Sequence, residues 1–485
     1  MLGTVLSILF LMWFLTGMVM MYRTYPSLSQ QQRMEHAENI EDGKLKIEKC
    51  YASDSAANDQ SSIFNIQSIE QVAGRNVCMV KANGEEQLID MATGQTINRF
   101  SSEELQQVAC QWTTATPTLI DTLNEIDVWL IGCMPFKEFP VYHYALNDGH
   151  GSELYLSSRT GRALQFTDSE SRFWAWVGAI PHWIYIKQLR ATGRQPWTDV
   201  VLWLSGFGIA MALSGIVIGI RSMLIARRRN KSVNRKSVNR KSLSPYVKPL
   251  FRWHHIFGLF FGFFVFTWIF SGFMSLADAP RLIWPVHGEH SAKDICADSL
   301  TIEKFRLDCA KVVAADEVKR LEWLQLGNMP FYHVWTAHDD YLVDAADSVV
   351  RHVTLDGNHC RRLVEDAFNA DDSNVSVAVT LLHAYDNYYV SQKRPLPLPI
   401  WHVTVGDDDL STYYINPVNG DCRYYNDNRR AGKWMYTGLH ALNTSFFSPS
   451  PTMRRTILWL LLFGGTAVSL TGVLLTVRRI RKLKY

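Results

Sequence analysis

Residues 258–275 read GLFFGFFVFTWIFSGFMS, and a closely similar pattern stands at residues 3–20 as GTVLSILFLMWFLTGMVM. The two stretches begin 258 − 3 = 255 positions apart, and at this offset Thr16–Gly17 matches Ser271–Gly272. Each stretch is uncharged and long enough, as a helix, to cross a bilayer. The chain therefore contains one apolar span in two copies.

A second pair of apolar stretches repeats in the same register. LSGIVIGIR ends at Arg221 and LTGVLLTVR ends at Arg478, an offset of 478 − 221 = 257. In the first pair, Trp13 also matches Trp268. The sequence therefore predicts a tandem duplication in which each half is a span, an outer domain and a second span.

Charge sets the orientation of the four spans. The predicted spans are residues 1–22, 200–220, 253–277 and 456–477. The linker at 221–252 holds eleven Lys or Arg and no acid, and the tail at 478–485 adds five more basic residues. The positive-inside rule places both on the cytoplasmic side, so the domains at 23–199 and 278–455 face outward. The first span lacks a basic start and a small-residue cleavage site, so we expect an anchor there.

The two outer domains are acidic. They contain all 46 acids against 49 − 16 = 33 basic residues, a net charge of 33 − 46 = −13, which argues against a nucleic-acid partner. An oxidising compartment such as a bacterial periplasm would allow disulfides in them, although spacing leaves the connectivity open. All the cysteines lie there: Cys50, Cys78, Cys110, Cys133, Cys296, Cys309, Cys360 and Cys422. Because no Cys-x-x-Cys occurs, c-type haem attachment is excluded.

Within the outer domains a shorter pattern recurs, in which a strand, a polar turn, a second strand, a turn with glycine and a third strand follow one another. Copies begin at Val77, Tyr142, Tyr332 and Trp401, for example YHVWTAHDDYLVDAADSVVRHV from Tyr332. Helical stretches such as SSEELQQVAC lie between them. The predicted fold class is an α+β membrane protein with four transmembrane helices in two tandem halves, each half carrying two small α+β units.

The cytoplasmic linker contains a direct repeat, KSVNRKSVNRK, at residues 231–241. Its polar, basic composition predicts a flexible connector rather than a catalytic segment. Membrane lipid, through its anionic headgroups, is the partner that such a segment suits.

Several motifs accompany this plan: WHHIFGLFFG and TWIFSG in the third span, YLVDAADS and YYINPVNG outside, IPHWIY at 180–185 and KWMYTGLHALN at 433–443. With them, the chain resembles the PepSY-associated transmembrane proteins of bacterial inner membranes over nearly its full length. Some members resemble haem-containing reductases of ferric siderophores, and others have no assigned role. In the family, the first span also opens with a histidine, at a position that here would fall before Met1.

His254 and His255 stand at the cytoplasmic entrance of the third span. A titratable group near lipid is costly unless it has a partner, and haem iron is one such partner. Because adjacent helical residues point about 100° apart, at most one of the two can ligate one iron, and the resemblance favours His254. The alternative is that both lie at headgroup depth and meet water or lipid phosphate.

His182 and His440 form a second set, 440 − 182 = 258 positions apart, in aromatic stretches ahead of the second and fourth spans. A pseudo-twofold arrangement would bring them to opposite sides of one iron, as an electron-transferring haem requires. The alternative is an interfacial aromatic belt. Strand packing explains the histidines that recur at the predicted first strand of the outer units, His143, His333 and His402.

The function hypothesis is an inner-membrane haem protein with one or two b-type haems, in which His182 and His440 are outer ligands and His254 the inner ligand. It would carry electrons from a quinol or a cytoplasmic donor to a ferric siderophore outside. One alternative is a membrane-anchored module that binds or regulates a periplasmic partner without catalysis. A transporter ranks last, since no Gly/Pro-interrupted span flanked by acids is present.

Overall fold

The computed structural model is mixed α+β, and four of its helices are long and apolar enough to cross a membrane. It describes residues 2–45, 65–82, 85–133, 135–232, 244–277, 279–369, 375–392 and 394–483. Cys50 and most of the basic repeat at 231–241 therefore lie outside the described residues.

The four long helices, named spans 1 to 4, extend the predicted apolar cores. They are Leu2–Met20, Gln195–Ser232, Pro249–Met274 and Pro451–Leu483. The predicted linker begins as helix, since residues 221–232 continue span 2. Span 3 ends before the predicted boundary at 277, because the backbone N–H of Ser275 caps it.

The spans pack in two equivalent pairs, span 1 against span 4 and span 2 against span 3. Glycines bring each pair together. A Cβ on Gly465 would lie 2.7 Å from the ring of Phe14, and a Cβ on its counterpart Gly208 would lie 3.1 Å from Ile269. Because Phe14 and Ile269 are themselves counterparts, the two pairs share one packing geometry.

The symmetry fails at one contact. Span 3 also packs along span 4, whereas span 1 approaches span 2 over a much shorter length. A Cβ on Gly464 in span 4 would overlap the ring of Phe261 in span 3. The counterpart of Gly464 in span 2 is Phe207, which is 47% exposed. The bundle is therefore closed between spans 3 and 4 and more open between spans 1 and 2.

The strands of the described residues, β1–β16, form three antiparallel sheets. They are β1 Asn65–Val72, β2 Arg75–Ala82, β3 Glu85–Asp90, β4 Thr96–Ile97, β5 Thr118–Leu123, β6 Val141–Ala145, β7 Glu153–Ser157, β8 Ala163–Thr167, β9 Arg320–Leu326, β10 Met329–Trp335, β11 Asp340–Asp344, β12 His352–Val353, β13 Val377–Leu382, β14 Ile400–Val405, β15 Thr412–Ile415 and β16 Cys422–Tyr425. One eight-stranded sheet has the order β12-β11-β10-β9-β1-β2-β3-β4, and β5–β8 and β13–β16 each form a four-stranded sheet. Each half thus supplies two four-stranded meanders.

The eight-stranded sheet joins the halves through equivalent residues. The tight turn after Val72 corresponds to the turn after Leu326, so equivalent positions in these meanders are 326 − 72 = 254 apart. At the junction Ser68 of β1 pairs with Glu322 of β9, and these positions are also 322 − 68 = 254 apart. A residue that pairs with its own counterpart lies on a twofold axis. The pseudo-twofold axis of the duplication therefore passes through the centre of this sheet.

Short helices connect or cover the sheets. The α-helices are Gln30–Glu35, Ser102–Cys110, Ser169–Val177, Ala179–Trp183, Lys187–Arg190, Cys309–Ala315, Gly357–Asn369, Asp427–Lys433 and Leu439–Ala441, with 3-10 turns at Asp42–Lys44, Val128–Leu130, Ile302–Lys304 and Ser445–Phe447 and a π-helical turn at Trp434–Gly438. In each half one helix follows the first meander and lies before the second, at the places where the sequence predicts helical stretches. Leu105 and Val108 are buried in the first of these, since residues three apart lie on the same face of the helix.

His143, His333 and His402 lie in β6, β10 and β14. Each of these is the second strand of its meander, so the prediction that they mark the first strand is wrong. A further strand precedes each one because the apolar stretch ahead of it pairs back in antiparallel register.

Candidate functional site

Each half delivers one histidine to the helix bundle through the same local structure. Asp168 caps the helix that follows β8, and Asn426 caps the helix that follows β16. The two caps are 426 − 168 = 258 positions apart, as are His182 and His440. The helical segment after each outer sheet therefore has equivalent ends in the two halves.

The chain also leaves each histidine by the same turn. Ile184 has φ 53° and Leu442 has φ 51°, and both lie two residues after the histidine. This left-handed conformation costs a branched or bulky residue roughly 1 kcal/mol or more. Its recurrence at equivalent positions indicates that both halves hold this segment in one geometry.

Tryptophans of the spans hold the backbone of both histidines. Trp13 Nε1 donates to the carbonyl of His182 at 2.9 Å, and Trp268 Nε1 donates to the carbonyl of His440 at 3.1 Å. These tryptophans match in the duplicated span sequence, so the anchor is part of the repeat. Each histidine is therefore fixed against the first span of its own half.

Hydroxyl groups hold the rings. Nδ1 of His182 lies 3.0 Å from Thr16 Oγ1, and Nδ1 of His440 lies 2.9 Å from Ser271 Oγ. A Cβ on the glycine that follows each hydroxyl residue would lie 3.7 Å from the ring in the first half and 4.0 Å from it in the second. Each Ser/Thr–Gly pair thus provides a hydrogen-bond partner and, beside it, room for the imidazole.

The same hydroxyls determine which ring nitrogen carries the proton. Thr16 Oγ1 donates to the carbonyl of Met12 at 2.7 Å, and Ser271 Oγ donates to the carbonyl of Trp268 at 2.9 Å. Because a hydroxyl has one proton, each must accept its other bond from Nδ1–H of the histidine. In a neutral ring Nε2 then carries the lone pair, which is the arrangement of a metal-ligating histidine.

The two rings lie next to each other. The ring centres of His182 and His440 are 6.1 Å apart, with an angle of 76° between the planes. Two metal–nitrogen bonds of about 2 Å, with about 1 Å from each nitrogen to its ring centre, sum to about 6 Å. Neither Nε2 atom has a hydrogen-bond partner among the described residues. The donor set and the spacing therefore would allow both rings to hold one metal ion.

Both imidazoles lie outside the four spanning helices. Burial disfavours the charged form of each. Burial lowers the pKa of His182 to about 3, and the neighbouring His440 lowers it further. Burial also lowers the pKa of His440 to about 4. The neutral form, which can bind a metal, is therefore the form present at physiological pH.

His254 has the same arrangement near the other end of span 3. Its Nδ1 lies 2.9 Å from Thr471 Oγ1, and that hydroxyl donates to the carbonyl of Ala467 at 2.7 Å. A Cβ on Gly472 would lie 3.6 Å from Cε1 of the ring. His254 is 271 − 254 = 17 residues from Ser271, or about 25 Å along the helix. It therefore belongs to a second, inner level of the bundle.

His255 is oriented differently. Its Nε2 donates to the carbonyl of Gly219 in span 2 at 3.0 Å, and the side chain is buried at 7% exposure. Its Nδ1 is buried without a hydrogen-bond partner. The proton is thus on Nε2, the opposite tautomer to that of His254. His255 joins spans 2 and 3, whereas His254 presents a ligand nitrogen.

Four Ser/Thr–Gly pairs of the spans form two matched sets: Thr16–Gly17 with Ser271–Gly272, and Ser214–Gly215 with Thr471–Gly472. Three of the four face a histidine. The fourth, Ser214–Gly215 in span 2, is exposed, and Ser214 Oγ donates to the carbonyl of Ala210. The sequence shows these pairs as markers of the repeat. Their role as hydrogen-bond acceptors for Nδ1 was not predicted, because it depends on which segment packs against them.

The buried outer-domain histidine His333 lies in a different environment. Its Nε2 is 2.8 Å from Asp340, and its Nδ1 is 3.3 Å from Glu322. Burial would lower the pKa of His333, but these two carboxylates outweigh it and raise the pKa to about 9. Since both nitrogens hold protons, His333 is a structural cation and not a metal ligand.

Within the described stretches, no group of three or more His, Cys, Asp or Glu side chains could hold a metal ion. The candidate site is therefore the His182–His440 pair, with His254 at the inner level. A scan against protein-family models and a search of the curated proteins both give no match. The likeness to PepSY-associated proteins thus stays a prediction from the sequence motifs.

Proposed function

We propose that this chain is a haem-binding electron-transfer protein of the bacterial inner membrane that reduces a ferric chelate, such as a siderophore, on the periplasmic side. The observation that supports the proposal is the His182–His440 pair. Its Nδ1 atoms lie 3.0 and 2.9 Å from the hydroxyl oxygens of Thr16 and Ser271, and its ring centres are 6.1 Å apart. Each half of the chain would thus contribute one histidine to hold the iron.

The roles of the side chains follow from this geometry. Bound b-type haem would supply one-electron chemistry, between a quinol or cytoplasmic donor and the ferric chelate. His182 and His440 would hold its iron. Thr16 and Ser271 hold Nδ1–H, which fixes each ring and makes Nε2 more basic. Trp13 and Trp268 fix the backbone of the two ligands.

His254 is the candidate for a second haem near the cytoplasmic face. Its tautomer is that of the outer pair, because Thr471 plays the part that Thr16 and Ser271 play there. Among the described residues no second imidazole faces it. His254 would therefore serve as a single protein ligand.

The test is the reduced-minus-oxidised spectrum of the purified full-length protein, with haem quantified as the pyridine complex. We expect His182→Ala and His440→Ala each to lose the six-coordinate, low-spin signal of the outer haem. His338→Ala, which changes an exposed outer-domain histidine, is the matched control and should keep the wild-type spectrum. A folded but colourless wild type would instead favour the non-catalytic binding module.

A second measurement addresses the hydroxyl groups. Thr16→Val and Ser271→Ala remove the partner of Nδ1 and should each speed haem transfer to apomyoglobin by about 10- to 100-fold. Ser214→Ala changes the counterpart of Thr471, a hydroxyl that faces no histidine, so its transfer rate should stay at the wild-type value. Equal rates in all three variants would contradict the assigned tautomers.

A further inference from the structure

A cavity of about 480 Å³ lies in the second half, beside the outer end of span 3. Its wall includes Ser275 at the end of that helix and Tyr436, whose ring centre is 5.7 Å from that of His440. This volume is within the range of small-molecule sites. The cavity is therefore a candidate binding site one helical turn from the proposed iron ligand.

Three cations contribute to the wall: Arg423, Arg429 and Lys433. Among the described residues none of them has an ion pair with a carboxylate. Their charged groups lie instead over aromatic rings, at 5.0 to 5.6 Å from the ring centres. Nζ of Lys433 is buried and has no hydrogen-bond partner. An uncompensated buried charge is costly, so a bound anion would stabilise this arrangement.

The nearby carboxylates of the described chain are already engaged. Asp386 accepts hydrogen bonds from the hydroxyl of Tyr414 at 2.6 Å and from the backbone of Tyr388 at 2.8 Å. Asp427 pairs with Arg430 at 3.1 Å. Burial lowers the pKa of Lys433 to about 8 against a smaller opposing effect of Asp386. Lys433 is thus still largely charged at pH 7, and the wall is positive.

The histidine geometry does not require these cations, as the first half shows. At the offset of 258 that relates the caps and the histidines, their counterparts are neutral: Gln165, Ser171 and Ala175. Trp174 stands where the second half has Gly432, and a Cβ on Gly432 would reach only Ala279, at 3.9 Å. The second half therefore has both the space and the charge, while its histidine is held as in the first half.

Basic residues at a membrane edge usually extend their charge to headgroups or water. Lys433 does the opposite, since its Nζ is buried. We propose that the cavity binds the oxyanion group of a small ligand, a phosphate or a carboxylate, through Arg423 and Arg429, with the buried charge of Lys433 adding to the attraction. Guanidinium groups suit such oxyanions because they donate two parallel hydrogen bonds. The inference rests on the cavity and its charges and holds whether or not haem is bound.

Two sources can supply the oxyanion. One is a phospholipid headgroup in the leaflet beside the outer end of span 3, and the other is a water-soluble anion. The test uses the full-length protein in two settings. In detergent, the thermal midpoint is followed with inorganic phosphate or citrate against chloride at equal ionic strength. In nanodiscs of phosphatidylglycerol or phosphatidylcholine, retained lipid is counted by native mass spectrometry. A shift with phosphate or citrate identifies a soluble anion, and one retained phosphatidylglycerol identifies the headgroup.

The variants take the residues of the first half. Arg423→Gln, Arg429→Ser and Lys433→Ala combined should weaken binding at least tenfold, and Gly432→Trp should block it by filling the space. Arg362→Gln removes an exposed cation outside the cavity and should bind as the wild type does. The proposal is overturned if the wild type binds neither probe, or if the triple variant binds equally well. The haem content of the triple variant is measured in parallel. A loss of haem would assign the three cations to haem binding and would also overturn the proposal. A colourless protein that still binds phosphate would overturn only the haem proposal.

Discussion

The residues around His182 are neutral at positions where those around His440 are charged. Ser171 stands where the second half has Arg429, although both lie in the first turn of a helix that is capped at the equivalent position, by Asp168 and by Asn426. The tryptophan, hydroxyl and left-handed turn that hold the two histidines are nevertheless the same. The contacts that position the ligands are thus kept in both halves, and the charges occur in one.

The same difference recurs elsewhere in the molecule. In the eight-stranded sheet, His333 of the second half corresponds to Met79 of the first, 333 − 79 = 254 positions earlier. In the spans, Thr471 faces His254, whereas its counterpart Ser214 faces no histidine. The same few hydrogen bonds therefore hold the scaffold in both halves, whereas these titratable groups lie in the second half.

The largest effect is expected where the two halves pack differently. Gly464→Phe places in span 4 the residue that span 2 has at the equivalent position, and its ring would occupy the space of Phe261. Overpacking of this size should cost more than about 3 kcal/mol and sharply reduce the yield of monodisperse protein after extraction. Phe207→Gly is the reverse exchange in span 2, and its yield should stay within about half of the wild-type value, since Phe207 is 47% exposed and its ring stacks on Trp203 of the same helix. Equal yields would show that the closed contact between spans 3 and 4 is not required for folding.

Much of this scaffold could be predicted from the sequence, because duplication and apolar length are local patterns. The four spans follow from their apolar length. Trp13, Trp268 and the Ser/Thr–Gly pairs show that the spans are repeated. The junction of Ser68 with Glu322 could not be predicted, since antiparallel pairing across the axis joins segments 254 positions apart. The sequence also could not predict that spans 3 and 4 share a longer contact than spans 1 and 2. That difference depends on whether a glycine or a phenylalanine faces the neighbouring helix.

The candidate site was predicted in part. The offset of 258 places His182 and His440 in equivalent positions, but only the structure brings their rings to 6.1 Å. Sequence could not distinguish His254 from His255 by chemistry, because the distinction depends on the acceptor that each ring meets in another helix. Thr471 and Gly219 are that pair of acceptors.

That distinction gives the second prediction, of intermediate size. His254→Ala should remove any inner haem and lower the haem content per protein by up to one equivalent, while the outer low-spin signal stays unchanged. His255→Ala should leave the haem content unchanged and lower stability by about 1–3 kcal/mol, because it removes a buried hydrogen bond between spans 2 and 3. Haem analysis and thermal unfolding of both variants check this. A loss of haem from His255→Ala alone would reverse the assignment of the two rings.

The smallest effect is a pH dependence confined to the second half. The pKa of His333 is raised from 6.5 when unfolded to about 9 when folded. The folded state therefore holds the proton more tightly, so the stabilisation is complete below about pH 6.5 and is lost as the pH rises through about 9. Glu322, whose pKa His333 and Arg320 lower to about 2 against the effect of burial, stays ionised throughout this range. We expect the thermal midpoint of the wild type to fall between pH 6.5 and pH 9.

Placing the first-half residues in the second half separates the contribution of His333 to the pH dependence from that of the other titrating groups. His333→Met leaves Glu322 and Asp340 without their shared cation, and should cost about 1–3 kcal/mol near pH 6.5 and progressively less toward pH 9. Adding Glu322→Ser recreates the first-half combination of Met79 and Ser68, and should restore part of the stability because one unpaired carboxylate is removed. If the single variant kept the wild-type fall between pH 6.5 and pH 9, another group would be responsible. The fall in stability between pH 6.5 and pH 9 would then not arise from this difference between the two halves of the sheet.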